Sequence, residues 1–355
     1  MRRNWLAGGL TAAVLVTSAC AANVTAPTVS TAAPGYVATV DESLPAGGTL
    51  DVELPIDIGA ATGLDPQLAD VASAWQLMSL VYETMVTIGP DFSVQPALAA
   101  SWETPTPTSY VFHLRDDVAF SNGRPMAADD VVGSLQRLLA SQSVWRGQLG
   151  PVSSVTAVDP HTVQVELGAT YTPFLAALAN VPAAVLPMKE INEGSLNIAT
   201  TMLGTGPFTV ADHRQDVSWR FAKNPAYWAP AAPQLDGLNV TIAAEDTARI
   251  ASLQSGRASL ATLGNVDSAT MLAGARGVEV LGQATTDFYY LMLNTQAPGS
   301  KFADPRVRTA INIAMDRDQI ASIALGGLGK PTGVTPAGLP ATLIFVRGMR
   351  RKALE

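Results

Sequence analysis

The sequence predicts a mixed α/β fold of more than one domain, because strand patterns and helix patterns alternate along a chain of 355 residues. That length is enough for two domains and a large hydrophobic core. Hydrophobic residues make up 48% of the chain and charged residues 15%, a composition that excludes a disordered chain or a coiled coil. Residues 98–139 show the alternation most clearly, with a strand, a turn and a helix in close succession.

The strand, the turn and the helix of this segment each have their own sequence signal. Residues 110–114 alternate with a period of two and are rich in aromatic residues, which indicates a strand. Residues 121–123 read Ser-Asn-Gly and predict a turn, because Asn and Gly tolerate positive φ. Asp129 and Asp130 suit the first turn of a helix, where the helix dipole favours anions. The apolar face of that helix is formed by Val131, Leu135, Leu138 and Leu139.

Similar patterns predict the other strands and helices. Alternating residues predict strands at 50–54, 153–158, 163–167, 217–221, 238–242 and 288–293. Helical signals predict helices at 71–85, at 171–175, and after Asp246, Asp304 and Asp316. Asp246 is the predicted N-cap of a helix that ends at Gly256. Asp304 is a predicted N-cap followed by Pro305, which is favoured at the first helical position.

The charge balance bears on the kind of partner. The net charge is −8, from 22 Lys and Arg against 30 Asp and Glu. No basic stripe is available to neutralise phosphates, so we expect no nucleic-acid partner. The acidic surface favours cationic solutes weakly, since net charge determines solubility more than specificity.

The first twenty residues have the pattern of an export signal. Basic residues 2–3 precede an apolar run, 5–16, which is too short to span a bilayer. Small residues then precede Cys20, the only cysteine, so no internal disulfide can form. This run resembles a bacterial lipobox, which implies acylation of Cys20 and anchoring to the membrane. The alternative is an ordinary secretory signal that is cleaved near Ala19 or Ala22.

Residues 21–48 are rich in Ala, Thr, Pro, Ser and Gly and lack a core-forming pattern. This composition predicts a flexible tether. Such a tether would let a lipid-anchored domain stand away from the membrane, with the folded part beginning at Thr49.

Motifs for catalysis and for cofactor binding are missing from the sequence. It has no HExxH, CxxC or Gly-x-Ser-x-Gly, and Gly329-Lys330 lacks the rest of a phosphate-binding loop. The three histidines lie far apart in sequence, at His113, His161 and His213. They do not have the spacing of metal ligands. The sequence therefore predicts no enzyme, no cofactor and no metal site.

Several motifs, in their order along the chain, resemble those of one family. These are aromatic-x-Leu-Arg-Asp at 112–116, Phe-x-x-Gly at 120–123, Ala-x-Asp-Val at 128–131, Gly-x-Gly-Pro-Phe at 204–208, Asn-Pro-x-Tyr-Trp at 224–228 and the run 304–317. They resemble the family-5 extracellular solute-binding proteins, which serve ABC importers of oligopeptides, dipeptides and nickel. One departure is Ala127, where relatives have Thr as the helix N-cap; the loss is expected to cost roughly 0.5–2 kcal/mol.

The resemblance implies a two-lobed, periplasmic-binding-protein-like fold of type II, with an inserted subdomain in the first lobe. The implied first lobe is 49–80 with 200–294, the insertion is 81–199, and 295–355 begins the second lobe. The lobes would close about a hinge near Asn294 and bury the ligand between them. The implied partners of this extracytoplasmic monomer are a peptide or similar small solute, the permease subunits of an ABC transporter and, through the lipid, the membrane.

Four residues are candidates to line the ligand cleft. The family places the Leu-Asp-Pro loop, here 64–66, at the lip of the cleft, close in sequence to Trp75. Trp145 lies in a polar loop, where the nickel-binding branch has a tryptophan that faces its ligand. Tyr290 and Asn294 are the other two candidates. The alternative for Trp75 and Trp145 is a place in the hydrophobic core. The 179–185 loop lacks the arginine of the nickel-binding branch, so nickel is disfavoured as a ligand.

The closing residues differ in composition from the rest. Four bases lie within 343–352, while the remainder of the chain is acidic and sparse in arginine. Because family members continue well beyond this point, the shift predicts a truncated or frameshifted reading frame with an incomplete second lobe. A natural short variant is the alternative. The second hypothesis for function is therefore a fragment without function, or a surface lipoprotein with no role in transport.

Overall fold

The structure is a computed structural model that describes most of the chain between residues 45 and 326. The described residues are 30–31, 45–69, 72–89, 92–229, 233–282, 289–326, 329 and 331. The predicted signal peptide with Cys20, most of the predicted tether, and the basic segment 343–352 lie outside the described residues.

Helices and strands alternate along this part of the chain. The α-helices are α1 (Ala72–Met78), α2 (Ala128–Ala140), α3 (Phe174–Ala177), α4 (Met188–Asn192), α5 (Asp246–Ser255), α6 (Val266–Leu272), α7 (Pro305–Ala314) and α8 (Arg317–Leu325). The strands are β1 (Ser30–Thr31), β2 (Thr49–Leu54), β3 (Val86–Ile88), β4 (Val94–Pro96), β5 (Ala99–Thr106), β6 (Ser109–Leu114), β7 (Val152–Asp159), β8 (Thr162–Leu167), β9 (Phe208–Arg214), β10 (Ser218–Lys223), β11 (Gly237–Ile242), β12 (Leu260–Ala261) and β13 (Leu281–Gly282). In the part of the chain described, no helix is both long and apolar enough to cross a membrane.

A five-stranded sheet has the order β12-β2-β11-β10-β9. Strand β2 runs parallel to both β11 and β12, whereas β9, β10 and β11 are joined antiparallel. Successive side chains of a strand point to opposite faces. Val52 and Leu54 therefore face a hydrophobic core, while Asp51 and Glu53 face the other side of the sheet.

A four-stranded antiparallel sheet has the order β5-β6-β8-β7. It contains the strand predicted at 110–114 and the hairpin predicted at 153–167, so both predictions are confirmed. Phe112 is fully buried on this sheet and belongs to the same core as Val131 of α2.

The described residues form two hydrophobic cores, one for each of these sheets. One core joins the four-stranded sheet to α2, and the other joins the five-stranded sheet to α1. Val81 and Tyr82 belong to the second core, while Met85 and Val86 belong to the first. The chain therefore passes from one core to the other within residues 82–85. The boundaries of the lobes and of the inserted subdomain remain predictions.

Helix α1 ends at Met78, so the predicted helix at 71–85 is too long. The carbonyls of Leu80 and Val81 instead accept hydrogen bonds from the N–H groups of Phe208 and Gly206, at 2.9 Å each. These carbonyls would be turned along the axis in a continued helix. The incoming 204–208 segment therefore decides where α1 ends.

The same contact explains the glycines of the 204–208 motif. A Cβ on Gly204 would lie 2.1 Å from the carbonyl oxygen of Val81, and a Cβ on Gly206 would lie 2.7 Å from it. Atoms cannot approach so closely without a shift of the backbone, so only glycine allows this approach of two chain segments.

Helix α2 begins after Ala127 as predicted, and the missing cap is partly replaced from within the helix. Asp130 accepts a hydrogen bond from the N–H of Ala127 at 3.1 Å, which is one half of a capping box. Asp130 also forms two hydrogen bonds with Arg124, at 2.8 and 2.9 Å. Arg124 in turn pairs with Glu190, a residue of α4. This network fixes the start of α2 although Ala127 offers no side-chain acceptor.

The predicted cap of α5 is wrong by one residue. The N-cap is Glu245, which makes no side-chain cap hydrogen bond, and Asp246 is the first residue of the helix. The Asp246 carboxylate instead accepts hydrogen bonds from the N–H groups of Gly264 and Asn265, at 3.2 and 3.1 Å. Gly256 ends the helix in the left-handed region, φ 72°, as predicted. The Asp246 carboxylate, which the sequence predicts as a local helix cap, is therefore bound by residues 18 and 19 positions further along the chain.

The last described segment keeps its predicted helices but not its predicted strand. Asp304 and Asp316 cap α7 and α8 through hydrogen bonds from the N–H groups of Arg306 and Gln319. The strand predicted at 288–293 is wrong for 289–293, which is neither strand nor helix. A strand requires a partner to accept and donate its backbone hydrogen bonds, and this segment has none among the described strands.

Candidate ligand-binding site

Two of the four candidate residues are brought together by the structure. The rings of Trp75 and Trp145 meet edge to face, with centroids 4.9 Å apart at an angle of 62°. Both indole N–H groups donate to the same acceptor, the carbonyl oxygen of Ala69, at 3.4 Å from Trp75 and 2.6 Å from Trp145. Trp75 comes from α1, and Trp145 comes from the loop after α2. Both side chains are half-buried.

Helix α2 holds the loop that carries Ala69. Arg137 donates to both carboxylate oxygens of Asp65, at 3.2 and 2.5 Å, and to the side chain of Gln67 at 2.6 Å. The side-chain amide of Gln67 donates to the backbone carbonyl of Ser134 at 2.8 Å. Asp65 and Gln67 are buried, so these bonds are shielded from water. The loop is therefore fixed before any ligand arrives.

This arrangement determines which atoms of the indole pair are available to a ligand. The two N–H groups are already bonded to Ala69, so the pair offers its ring surfaces and not its donors. Aromatic rings of this kind stack on flat groups and cover apolar surface. Leu68, on the same loop and next to Ala69 in sequence, is 39% exposed. Arg137 is engaged with Asp65, and its charge is already compensated.

The other two candidates lie on the segment 289–295. Tyr290 is 66% exposed. The Asn294 side chain accepts hydrogen bonds from the N–H groups of Gln296 and Ala297, at 3.0 and 3.1 Å. This is a local turn of the kind that Asn favours. Asn294 therefore shapes its own turn, and no hydrogen bond among the described residues joins it to the indole pair.

One important cluster was not predicted from the sequence. It surrounds Glu83, which lies where the chain crosses from one hydrophobic core to the other. The Glu83 carboxylate accepts hydrogen bonds from the Thr205 hydroxyl at 2.8 Å and from the Tyr227 hydroxyl at 3.0 Å. It also accepts from the indole N–H of Trp228, at 3.1 Å. We call this group of four residues the Glu83 junction.

Electrostatics of the Glu83 junction reflect its burial. Burial raises the pKa of Glu83, and the hydrogen bonds from Thr205, Trp228 and Tyr227 oppose that rise. Burial likewise raises the pKa of the Tyr227 hydroxyl, and the neighbouring Glu83 carboxylate raises it further. Arg115 stands over the Trp228 ring, 4.2 Å from its centroid, and pairs with Asp117.

The Glu83 junction joins two of the sequence motifs, and a third adjoins it through Arg115 over the Trp228 ring. Thr205 belongs to the 204–208 motif, Tyr227 and Trp228 belong to the 224–228 motif, and Arg115 belongs to the 112–116 motif. Tyr227 and Trp228 both donate hydrogen bonds to the Glu83 carboxylate. The sequence did offer one signal for this cluster, because polar and aromatic residues recur in these separate motifs. No residue near Glu83 in sequence, however, indicated that Glu83 is their common hydrogen-bond partner.

The side chains that could ligate a metal ion are dispersed in the part of the chain that the structure describes. Among the described residues, no three His, Cys, Asp or Glu side chains come close enough together to hold a metal ion. His213 stacks on the Trp219 ring at 3.5 Å and lies 3.3 Å from Asp57, so its position is explained by packing on the five-stranded sheet.

Comparison with known families agrees with the motifs. Residues 93–342, well over half of the chain, match the family described as bacterial extracellular solute-binding proteins, family 5 middle. The chain belongs to this family. Membership confirms the resemblance drawn from the motifs. It also agrees with the predicted place outside the cytoplasm and with the prediction that this family-5 protein is not an enzyme.

Among curated proteins, this family-5 protein is similar to the glutathione-binding protein GsiB of Escherichia coli (strain K12). The two are 26% identical over 287 residues, which cover 78% of this chain and 55% of GsiB. The chain thus spans about half the length of the curated relatives that it matches.

Among solved structures, it is similar to the binding protein AgaA of A. tumefaciens R10, in complex with agropinic acid. The TM-score is 0.73 at 26% identity, over 82% of this chain and 59% of AgaA. It is also similar to the periplasmic binding protein DppA of Helicobacter pylori, in complex with the peptide STSA. Here the TM-score is 0.70 at 25% identity, over 82% of this chain and 61% of DppA. These likenesses confirm the predicted periplasmic-binding-protein-like α/β fold.

Proposed function

We propose that this family-5 protein captures a small organic solute outside the cytoplasm and delivers it to the permease subunits of an ABC importer. The observation that carries the proposal is the indole pair on a preorganised loop. Trp75, Trp145 and Ala69 form a rigid aromatic surface whose polar atoms are already bonded, while Asp65 and Gln67 anchor the loop from behind. Such a surface binds ligand through stacking and apolar contact, without a large ordering cost.

A peptide or similar small solute is the proposed ligand class. The relatives support this class, because GsiB is a glutathione-binding protein and DppA was solved with a peptide. AgaA, solved with agropinic acid, widens the class to other small organic acids. We propose that the ligand lies between two lobes that close about a hinge near Asn294, and that Tyr290 reaches it on closure. Closure of lobes about a few hinge residues is a common binding motion.

The lobe boundaries and the membrane anchor belong to the same proposal. We propose a first lobe of 49–80 and 200–294, an inserted subdomain of 81–199 and a second lobe that begins at 295. We also propose that Cys20 is acylated and holds a monomer at the membrane. Labelling of the expressed protein with a fatty-acid analogue tests the anchor. The label should appear on the natural chain and be lost in Cys20→Ala, and equal labelling of both would contradict it.

Binding is tested by following tryptophan fluorescence and thermal unfolding with a set of small solutes that includes glutathione, di- to tetrapeptides and opine-type acids. We expect at least one solute to raise the melting temperature and to change the fluorescence. Trp75→Phe and Trp145→Phe should each weaken binding about 3- to 10-fold, because ring area and the bond to Ala69 are lost. Trp102→Phe is the matched control, since Trp102 packs on the other core.

The alternative is a product without a transport role. It gains support if no solute in the set changes the melting temperature or the fluorescence of the full chain. If a solute binds all variants equally well, the proposed binding function stands, but the indole pair is excluded as part of the binding site.

A further inference from the structure

A cavity of about 440 Å³ lies on the five-stranded sheet, away from the indole pair. Asp51 and Glu53 of β2, Thr241 of β11 and Arg257 after α5 line it. Neither the indole pair nor the Glu83 junction contributes to this cavity, so the inference drawn from it is independent of the proposed function.

The ladder of the sheet explains why the cavity opens at Glu53. Val52 and Leu54 face the core, so Glu53 points to the opposite face. In the register of the sheet its two neighbours are Thr241 on β11 and Ala261 on β12. Both neighbours are small, and neither fills the space beside the longer glutamate side chain.

Glu53 is an unusual residue for this position. Its side chain is 6% exposed, and its Oε2 has no hydrogen-bond partner among the described residues. An ionised carboxylate that is buried without a donor is strongly unfavourable, and such groups are normally paired. A buried acceptor that lines a cavity therefore calls for a donor within that cavity.

Arg257 does not meet this need. Its nearest nitrogen lies 3.7 Å from Oε1 of Glu53, beyond hydrogen-bond distance, and its side chain is 71% exposed. The guanidinium donates instead to the hydroxyl of Ser252. A charge contact at this distance, with the guanidinium largely in water, contributes little. Asp51 adds a second negative charge to the lining, and its side chain already accepts from Asn239.

We infer that this cavity binds a cationic nitrogen group, a guanidinium or an alkylammonium, that donates to Oε2 of Glu53. The carboxylates of Glu53 and Asp51 exclude an anion, and the absence of a third ligating side chain among the described residues argues against a metal ion. A water molecule occupies only about 30 Å³ in the liquid, so the cavity has room for a larger group.

Two sources can supply such a group. One is a small free cation. The other is the chain itself, because Arg347, Arg350, Arg351 and Lys352 lie in the closing segment, outside the described residues. Both offer the same chemistry to Glu53, and the experiment below separates them.

The first measurement is thermal unfolding of the full chain with agmatine, which carries both a guanidinium and an ammonium. Sodium chloride at equal ionic strength is the reference. Binding to the folded state alone raises the melting temperature, and we expect a rise of about 2–4 °C for a chain of this size. Glu53→Gln should abolish the rise, because it removes the charge and keeps the shape. Asp212→Asn, at an exposed position of β9 in the same sheet, should retain it.

A second variant keeps the test decisive if Glu53→Gln fails to fold. Arg257→Gln removes the nearest positive charge from Glu53 and should therefore enlarge the response to agmatine. The substitution is made in whichever chain responds to agmatine, the natural chain or the fourfold variant described next, and a smaller or equal response there would contradict the inference.

The source of the cationic group is identified by replacing all four basic residues of the closing segment by Gln. If that segment supplies the cation, the fourfold variant melts at a lower temperature than the natural chain and gains a response to agmatine, which Glu53→Gln then removes. If a free cation is the ligand, the natural chain and the fourfold variant respond alike. The inference is overturned if neither chain shows a response to agmatine that depends on Glu53.

Discussion

Around Glu83, four side chains from three distant parts of the chain are joined by hydrogen bonds, whereas the segment 289–326 forms two helices that bury no side chain. In the first region the bonds are long-range and tie two hydrophobic cores together. In the second region the ordering contacts are local, through the caps Asp304 and Asp316, while Ile313 and Ile323 remain 68% and 77% exposed.

The difference shows two ways in which one sequence specifies structure. A junction of distant residues gains strength because its partners are shielded from water and held by both cores. Helices that rest on caps alone are marginal at a length of nine or ten residues. Substitutions should therefore act strongly in the first region and weakly in the second, and the predictions below are ordered by that expectation.

The largest effect is expected from Glu83→Ala. It leaves the donors of Thr205, Tyr227 and Trp228 without their common acceptor, which should lower the free energy of unfolding by roughly 2–4 kcal/mol. Glu83→Gln is the matched control and should lose much less, because the amide oxygen still accepts and the Thr205 hydroxyl can accept from the amide. Urea denaturation measures both, and equal losses would show that the charge of Glu83 matters more than its geometry.

The pair of Arg124 and Glu190 should make stability depend on pH. Burial alone would raise the pKa of Glu190, but hydrogen bonds from Arg124 and Asn122 outweigh it and lower the pKa to about 2, from an ordinary value of 4.5. The contribution is therefore fully present above pH 4.5 and is lost as the pH falls towards 2.

Glu190→Gln tests this pair. It should lower the free energy of unfolding at pH 6 by roughly 1.5–3 kcal/mol, the range for hydrogen bonds to charged groups. The difference from the natural chain should shrink when urea denaturation is repeated near pH 3. A difference that stays constant between the two pH values would exclude the ionised carboxylate as its source.

Gly204→Ala should destabilise the contact that ends α1. The added Cβ would lie 2.1 Å from the carbonyl oxygen of Val81, and the backbone must move to admit it. We expect a loss of about 1–3 kcal/mol, the usual range for overpacking. Gly147→Ala is the control, because a Cβ there meets no atom within 4 Å and its φ is not positive. Similar losses for both variants would point to glycine flexibility and not to the close approach.

Asp304→Ala removes a local cap from the second region. The Asp304 side chain accepts from the N–H of Arg306 at 2.8 Å, and loss of such a cap typically lowers stability by about 1 kcal/mol. Asp304→Asn should retain most of the stability that the cap contributes, since Asn is also a favourable N-cap residue. Helix content by circular dichroism and hydrogen exchange of α7 are the measurements. Unchanged exchange in Asp304→Ala would show that α7 does not depend on its cap.

The smallest effect is expected from Ile323→Ser, on the exposed side of α8. A substitution at an exposed position away from special features changes stability by less than about 0.5 kcal/mol. A loss well above 1 kcal/mol would break the comparison between the two regions, because it would mean that α8 packs in solution. Val131→Ser in the buried core gives the contrast and should be strongly destabilising.

Local patterns predicted most elements of the fold. The alternation in 110–114 predicted a strand, the apolar face of Val131, Leu135 and Leu138 predicted α2, and Asp304 with Pro305 predicted the start of α7. These signals succeed because their causes lie within one turn or one strand. The family also followed from the sequence, because its motifs are stretches of neighbouring residues that keep their order.

The candidate site was predicted only in part. Trp75 and Trp145 were named as separate candidates, but their shared acceptor, the carbonyl oxygen of Ala69, could not be foreseen, because the two lie 70 positions apart in sequence. The role of Glu83 was not predicted, since its partners come from motifs more than a hundred residues away. Asp246 was assigned to a cap that Glu245 occupies, because a distant turn binds its carboxylate.

The sequence by itself determined the fold class, the family and those elements whose sequence signals are local, such as α2, β6 and the capped helices α7 and α8. Only the tertiary structure decided that α1 ends at Met78, that 289–293 is not a strand and that Glu83 joins the two cores. The physical reason is the origin of the hydrogen-bond partners. Local partners can be read from spacing, whereas distant partners exist only once the chain has folded.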